Sequence, residues 1–193
     1  MYLIGSDTHH ARSENERWVG DFSIIKATEG KTFVDPKYKE IAEQWNTGRL
    51  RLPSSFGLYH FLSEKSNITE QIQHFISTVE PFKGHAMLIL DYEQEFSRTD
   101  PAGTCLRDAI KAFQYYTNGM QCVIYMNKSD TAKIAFKQPQ LMKEGVCLWL
   151  ADYKGDYNGT WAPIMRQVCS NPFDIDVFYG SWQSWEDIAK SWK

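Results

Sequence analysis

Apolar and polar residues alternate along the chain in a rhythm that predicts strands and helices in turn. Apolar runs typical of strands occupy residues 2–5, 21–27, 55–61, 87–93, 122–126, 147–151, 165–168 and 175–179. Apolar positions at helical spacing occupy residues 35–45, 66–79, 100–116, 131–136 and 182–192. The pattern predicts alternating strands and helices over most of the chain, followed by three strands that come almost without helices.

This order of elements indicates a closed α/β barrel. Dense alternation predicts a parallel sheet with helices outside it, and eight strands predict that the sheet closes on itself. An open doubly wound sheet is the alternative, but no glycine-rich phosphate-binding loop follows any predicted strand. With 193 residues and no linker or repeat, we expect a single domain over residues 1–193.

Composition narrows the classes of function. The net charge of −3 gives no basic surface for nucleic acid or anionic lipid, and no apolar window approaches the length of a membrane span. The four cysteines are scattered without a C-x-x-C pair, which argues against a zinc site and a disulfide scaffold. The aromatic content is high at 15%, with seven Trp and ten Tyr. Aromatic side chains serve cores, and they also suit stacking against sugar rings.

Residues 87–93, with the sequence MLILDYE, carry the strongest chemical signal. Four apolar residues lead directly into Asp91, Tyr92 and Glu93. Such a run is typical of a strand buried on both faces, and side chains alternate along a strand, so Asp91 and Glu93 project to the same side. Each carboxylate raises the pKa of the other, so one can keep its proton near neutral pH, as a general acid requires. The alternative is an acidic strand end that meets solvent or caps the next helix.

Other polar and aromatic residues fall near the ends of the predicted strands. In a β/α barrel the carboxyl ends of the strands form one face, where catalytic groups collect. The residues expected at this face are Asp7, Lys26, His60, Asp91, Glu93, Tyr125, Trp149 and Asp174. The sequence therefore predicts an acidic site at one end of the barrel.

A metal site is an alternative use of some of these residues, with Asp7, His9, His10, His60 and Asp91 as candidate ligands. Against it, His9 and His10 lie in a polar segment, and no later strand end carries a histidine. Three good ligands with supporting partners are not visible in the sequence. We therefore expect no metal and no cofactor.

Several motifs in this order resemble glycoside hydrolase family 25, the Chalaropsis-type lysozymes, or N-acetylmuramidases, that include many phage endolysins. They are GSD at residues 5–7, IIKATEG at 24–30, GLYHF at 57–61, DYE at 91–93, LWLA at 148–151 and DIDVF at 174–178. The resemblance runs from about residue 5 to residue 181. It implies a single irregular TIM-like β/α barrel of the (β/α)5(β)3 type with the last helices missing, which agrees with the rhythm of the sequence.

The resemblance also implies an activity, cleavage of the β-1,4 bond between N-acetylmuramic acid and N-acetylglucosamine in peptidoglycan. Glu93 would protonate the glycosidic oxygen, and Asp91 would orient and polarise the N-acetyl group of the substrate. Asp7 and Asp174 would complete an acidic rim, with Asp176 competing with Asp174 for the place on the last strand. An attack by water with a second carboxylate remains open beside this substrate-assisted route.

Substrate contacts are expected from residues at the same barrel end, namely Lys26, Tyr59, Tyr125, Trp149 and Gln167. Lys26 serves equally well as an ion-pair partner at a strand end, and the aromatic residues serve equally well as core. Gln167 stands in an Arg-Gln-Val sequence where the family usually has Trp-Gln-Tyr. This departure bears on the shape of the substrate cleft.

The expected partner is the peptidoglycan glycan strand, and we expect a monomer that acts in the periplasm or outside the cell. The first residues lack a basic region and a cleavage site, so no signal peptide is expected in this chain. Two other classes of function remain open. One is a metal-dependent amidohydrolase or deacetylase on the same barrel, and the other is a catalytically silent glycan-binding protein.

Overall fold

The computed structural model describes residues 2–10, 20–47, 55–93, 100, 103–171 and 173–193. Within these residues, nine strands form one sheet. The strands are β1 Leu3–Thr8, β2 Phe22–Glu29, β3 Phe33–Val34, β4 Ser55–Phe61, β5 Ala86–Asp91, β6 Val123–Asn127, β7 Cys147–Ala151, β8 Met165–Cys169 and β9 Ile175–Phe178. The helices are α1 Tyr38–Asn46, α2 Ile68–Val79, α3 Thr104–Tyr116, α4 Lys128–Lys133, α5 Gln138–Lys143 and α6 Trp182–Ala189. Short 3₁₀ turns occur at Glu80–Phe82 and Ala135–Lys137.

The sheet closes into a barrel of eight strands, as the sequence predicts. Its order is β1-β9-β8-β7-β6-β5-β4-β2, and β1 pairs with β2 to complete the ring. The sequence analysis did not predict β3, a two-residue strand that forms a hairpin with β2. Within the ring of eight strands, which excludes β3, the neighbours from β1 through β8 run parallel, whereas β9 is antiparallel to both β8 and β1. The first residues of β9 therefore lie at the barrel end where the other strands finish.

The fully buried run on β5 shows how the barrel wall separates two cores. Met87 and Ile89 belong to the cluster inside the barrel, whereas Leu88, Leu90 and Tyr92 belong to the cluster between the barrel and its helices. Both faces of the strand are thus apolar, which explains the continuous run in place of an alternating one. Asp91, two positions after Ile89, therefore also points into the barrel.

The last helix, α6, closes the amino-terminal end of the barrel. Trp185 packs against Phe22 at the start of β2, with ring centroids 4.6 Å apart, and against Phe178 at the end of β9, at 5.2 Å. Trp185 is 1% exposed. This packing leaves the opposite end of the barrel as the open end.

Replacing Trp185 with alanine is expected to lower the free energy of unfolding by about 3–5 kcal/mol, because it leaves a cavity where α6 packs against the closed end of the barrel. Denaturant unfolding measures the loss, with Tyr115→Ala as the matched control. Tyr115 is 80% exposed, so its removal is expected to cost no more than about 0.5 kcal/mol. Equal losses of stability in the two variants would contradict the role of Trp185 in closing this end of the barrel.

Helix boundaries differ locally from the predicted ones. The helix predicted over residues 35–45 begins only at Tyr38, and the Asp35 carboxylate accepts the backbone N–H of Lys37 and contacts His10. The helix predicted from residue 100 begins at Thr104, with Gly103 at its N-cap, and the Asp100 carboxylate accepts the backbone N–H groups of Thr104 and Leu106. Helix α5 was not predicted. The polar segment predicted between the first two strands lies largely outside the described residues.

No helix in the described ranges is long and apolar enough to cross a bilayer.

Candidate active site

A cleft of about 330 Å³ lies at the open end of the barrel, opposite α6. It is lined by Asp7, His9, Lys26, Tyr59, Phe61, Asp91, Glu93, Tyr125, Trp149, Tyr153, Gln167 and Asp174. Nine of the ten residues that the sequence analysis expects at this end of the barrel, all except His60, therefore meet in one cleft. They come from β1, β2, β4, β5, β6, β7, β8 and β9 and from the residues that flank them.

Strand direction explains how Asp7 and Asp174 reach the same cleft. Asp7 lies near the end of β1, whereas Asp174 immediately precedes β9. Because β9 runs antiparallel to β1, its start lies beside the end of β1. A parallel β9 would put Asp174 at the opposite end of the barrel, so the place that the family resemblance implies for Asp174 depends on the reversed direction of this strand.

Asp91 and Glu93 lie side by side at the cleft, as the alternation along β5 predicts. Asp91 is 8% exposed, and Glu93 is partly exposed. Burial raises the pKa of Asp91 well above its usual range, and the negative charges of Glu93 and Asp7 raise it further, while Lys26 lowers it. Interacting carboxyl groups titrate as a set, so a proton is retained among them at a pH where an isolated aspartate is ionised.

One oxygen of Asp91 lacks a hydrogen-bond donor among the described residues. Within the part of the chain that the structure describes, Oδ1 of Asp91 is buried and has no hydrogen-bond partner. A buried acceptor without a donor is costly, and a substrate N–H or O–H group would relieve that cost.

Asp7 is held by a network that passes through Gln167. The side-chain amide of Gln167 donates to Oδ2 of Asp7 at 2.6 Å. Its carbonyl oxygen accepts the hydroxyl groups of Tyr125 at 2.8 Å and Tyr153 at 2.7 Å. The two tyrosines fix the orientation of the amide, so that its NH₂ group faces Asp7.

Asp176 lies below the cleft and does not line it. Its side chain is fully buried, and Oδ1 accepts the indole N–H of Trp149 at 3.0 Å. Asp176 and Asp7 are diagonal neighbours across the β1–β9 pair, and Gln167, which pairs in register with Asp176, donates to Asp7. Of the two carboxylates that compete for the place on the last strand, Asp174 is therefore the one that a ligand in the cleft can meet.

Lys26 brings a positive charge to the acidic cleft. Its ammonium group lies 2.7 Å from Oε2 of Glu29 and 4.9 Å from the ring centroid of Phe61. The lysine is thus held by an ion pair and by an aromatic face while it lowers the pKa of Asp91. The two alternatives given for Lys26 therefore hold together, since it forms an ion pair and also lines the cleft.

The aromatic side chains form part of the cleft wall. The rings of Tyr125 and Trp149 lie 4.5 Å apart at 62°, and these two residues and Tyr59 are largely buried. Burial and the nearby carboxylates raise the pKa values of Tyr59 and Tyr125, so both hydroxyl groups stay protonated. The walls can therefore offer apolar faces and the hydroxyl group of Tyr59 to a ligand, whereas the hydroxyl group of Tyr125 already donates to Gln167.

His60 was expected at the cleft, and that expectation is wrong. Its side chain is fully buried on the outer face of the barrel wall, where it contacts Thr28 at 2.7 Å and Gln71 at 3.1 Å and stacks on Phe75. Burial lowers the pKa of His60 to about 3, so the ring is neutral. Strand alternation explains the error, because Tyr59 faces inward and its neighbour must face outward.

No group of three or more His, Cys, Asp or Glu side chains within residues 2–10, 20–47, 55–93, 100, 103–171 and 173–193 is arranged to hold a metal ion. His10 contacts Oδ2 of Asp35 through its Nδ1 atom at 2.8 Å.

Phe61 and Tyr153 line the cleft but were not singled out by the sequence analysis, which considered His9, a third lining residue, only as a metal ligand. Phe61 follows Tyr59 by two positions on β4, and His9 follows Asp7 by two positions after β1. The period of two along a strand is a signal that could have found both. Tyr153 lies beyond the end of β7 in an irregular segment, where no such period applies.

Comparisons with known proteins agree with this architecture. Residues 12–186 match the family model described as Glycosyl hydrolases family 25. A solved muramidase from Trichobolus zukalii is similar, with a TM-score of 0.75 and 24% identity over 97% of this chain and 99% of that chain. A muramidase from Acremonium alcalophilum has a TM-score of 0.72 and 19% identity over 97% and 99% of the two chains.

A lysozyme of the same family from Aspergillus fumigatus has a TM-score of 0.72 and 19% identity, over 98% of this chain and 99% of that one. No curated protein matches the chain in sequence.

Proposed function

Because the chain belongs to glycosyl hydrolases family 25, we propose that it is a muramidase that cleaves the β-1,4 bond between N-acetylmuramic acid and N-acetylglucosamine in peptidoglycan. The observation that carries the proposal is the Asp91–Glu93 pair, which lines an aromatic cleft together with Asp7. Burial raises the pKa of Asp91 in this cleft. Two solved neighbours described as muramidases have the same fold.

Glu93 is the general acid in this proposal. Cleavage of a glycosidic bond requires a proton at the leaving oxygen, and a carboxyl group that keeps its proton near neutral pH supplies it. Glu93 is more exposed than Asp91 and can reach a substrate in the cleft. The neighbouring charge of Asp91 favours retention of the proton within the pair.

Asp91 acts on the acetamido group of the sugar at the cleavage point. Its buried Oδ1 has no partner within the described residues, and the acetamido N–H is a donor of the right kind. Accepting that N–H makes the acetamido oxygen a better nucleophile for the anomeric carbon. The developing positive charge is then stabilised by the carboxylate. The protein would need no nucleophile of its own.

Asp7 and Asp174 supply further negative charge opposite the oxocarbenium-like transition state. Tyr59, Tyr125 and Trp149 offer faces on which sugar rings stack, while Lys26 offers a cation to the carboxylate groups of peptidoglycan. Gln167 acts through Asp7, because its amide is engaged by Asp7 and two tyrosines.

Peptidoglycan lies outside the cytoplasmic membrane, so the protein acts there, in the periplasm or beyond the cell. The described residues that line the cleft come from one barrel in one chain, which supports a monomer with one catalytic domain.

Assays on purified peptidoglycan separate this function from the two alternatives. A muramidase releases new reducing sugar ends, an amidohydrolase or deacetylase releases free amines or acetate, and a silent binding protein releases neither. We expect reducing ends alone.

Exhaustive dialysis against a chelator is expected to leave the rate unchanged, because carboxyl acid catalysis uses no metal ion. Activity that is lost on dialysis and restored only by added zinc or manganese would move the assignment to the metal hydrolases.

A further inference from the structure

Asp176 lies against Asp7 at a level below the cleft. It pairs in register with Gly5 of β1 on one side and with Gln167 of β8 on the other. The indole of Trp149 holds Oδ1 at 3.0 Å. Among the described residues, no amide or hydroxyl group donates to Oδ2 of Asp176. Asp7 is its diagonal neighbour across the β1–β9 pair and is held by Gln167, the residue in register with Asp176 on β8.

Two carboxyl groups in contact need a proton between them. Two carboxylates would repel each other, and burial would penalise both charges, whereas an O–H donated to a carboxylate forms a strong hydrogen bond. Burial raises the pKa of Asp176 well above its usual range, and the charges of Asp7 and Asp174 raise it further, while Trp149 lowers it. These groups, from β1, from β7 and from the residue before β9, face Asp176, and Gln167 on β8 is its neighbour in register.

We propose that Asp176 is a positioning residue that shares one proton with Asp7, so that the pair carries a single negative charge on Asp7, directed into the cleft. Asp7 is then held from two sides, by the amide of Gln167 and by the shared proton of Asp176. The inference rests on the proposed function, in which the charge on Asp7 stabilises the transition state. It gives the two carboxylates of the last strand separate tasks, Asp174 at the cleft and Asp176 beneath it.

Replacing Asp176 with asparagine and with alanine tests the positioning. Asparagine can accept the indole N–H of Trp149 and donate its NH₂ group to Asp7, so kcat is expected to stay close to the wild-type value. Alanine removes both hydrogen bonds, and kcat is expected to fall about 10- to 100-fold with little change in KM, because a misplaced Asp7 weakens transition-state stabilisation. Asp108→Asn, an exposed aspartate on α3, is the matched control and is expected to change neither constant.

Carbon-13 NMR of carboxyl-labelled aspartate tests the shared proton without using activity. Aspartate resonances from Asp91 and from the Asp7–Asp176 pair are expected to titrate well above the usual range. The pair's resonance is expected to disappear in Asp176→Asn and to persist in Asp108→Asn. This readout decides the inference even where the protein cleaves no glycan.

Two results would overturn the inference. One is a loss of kcat in Asp176→Asn as large as in Asp176→Ala, which would mean that a carboxylate is required at this position. The other is an unchanged set of raised titrations in Asp176→Asn, which would mean that Asp176 shares no proton with Asp7. Where Asp176→Ala fails to fold, the asparagine variant and its titration still decide the question.

Discussion

Glu93→Gln is expected to lower the rate of peptidoglycan cleavage by about 10²–10⁴ with the fold intact, because glutamine fills the same space but donates no proton in step with bond cleavage. The wild-type rate is expected to fall as pH rises through the range in which the proton of the Asp91–Glu93 set is lost. The raised pKa of Asp91 moves that range upward. Clearing of purified peptidoglycan, followed at several pH values, measures both effects.

Glu40→Gln is the matched control for this variant, since Glu40 is exposed on α1 and undergoes the same chemical change. It is expected to clear peptidoglycan at the wild-type rate. A Glu93→Gln variant that does the same would show that Glu93 is not the acid.

Asp91→Asn is expected to lower kcat by about 10²–10³, since an amide stabilises the charged oxazolinium-like intermediate less well than a carboxylate does. If Asp91 works through the acetamido group, the native enzyme should cut de-N-acetylated peptidoglycan far more slowly than acetylated peptidoglycan. The same chemical removal of the acetyl group should slow the Asp91→Asn variant much less, because that variant has already lost the assistance.

Asp187→Asn, on the exposed side of α6 at the closed end of the barrel, is the control for Asp91→Asn and should leave kcat unchanged. Proton NMR of the first product reads the anomeric configuration. Substrate assistance predicts retention, whereas attack by water, with carboxyl groups roughly 6.5–9.5 Å apart, predicts inversion. An inverted first product would contradict the role given to Asp91 and leave the muramidase assignment in place.

The pattern of β5 explains why the barrel and its acidic pair could be predicted from the sequence. A run that is apolar at every position requires apolar neighbours on both faces, which few folds other than a parallel barrel or layered sheet provide. The period of two then places Asp91 and Glu93 on one side whatever the details of packing. Both features are local, so no long-range information is needed.

The network around Asp7 could not be predicted in the same way. Gln167 and Asp176 pair in register across β8 and β9, and Asp7 meets both from β1. These contacts depend on the reversed direction of β9. The residues of a short strand do not indicate whether it runs parallel or antiparallel to its neighbours. His60 was placed wrongly for a related reason, because nearness to a strand end does not state which face of the strand a side chain occupies.

Mass spectrometry of borohydride-reduced products tests the central claim most directly, because reduction marks the sugar that carries each new reducing end. Purified peptidoglycan digested with the wild-type protein is expected to give fragments that end in reduced N-acetylmuramic acid. The Glu93→Gln variant is expected to give almost none. Fragments that end in reduced N-acetylglucosamine, or glycan strands left intact, would contradict the assignment of this cleft as a muramidase site.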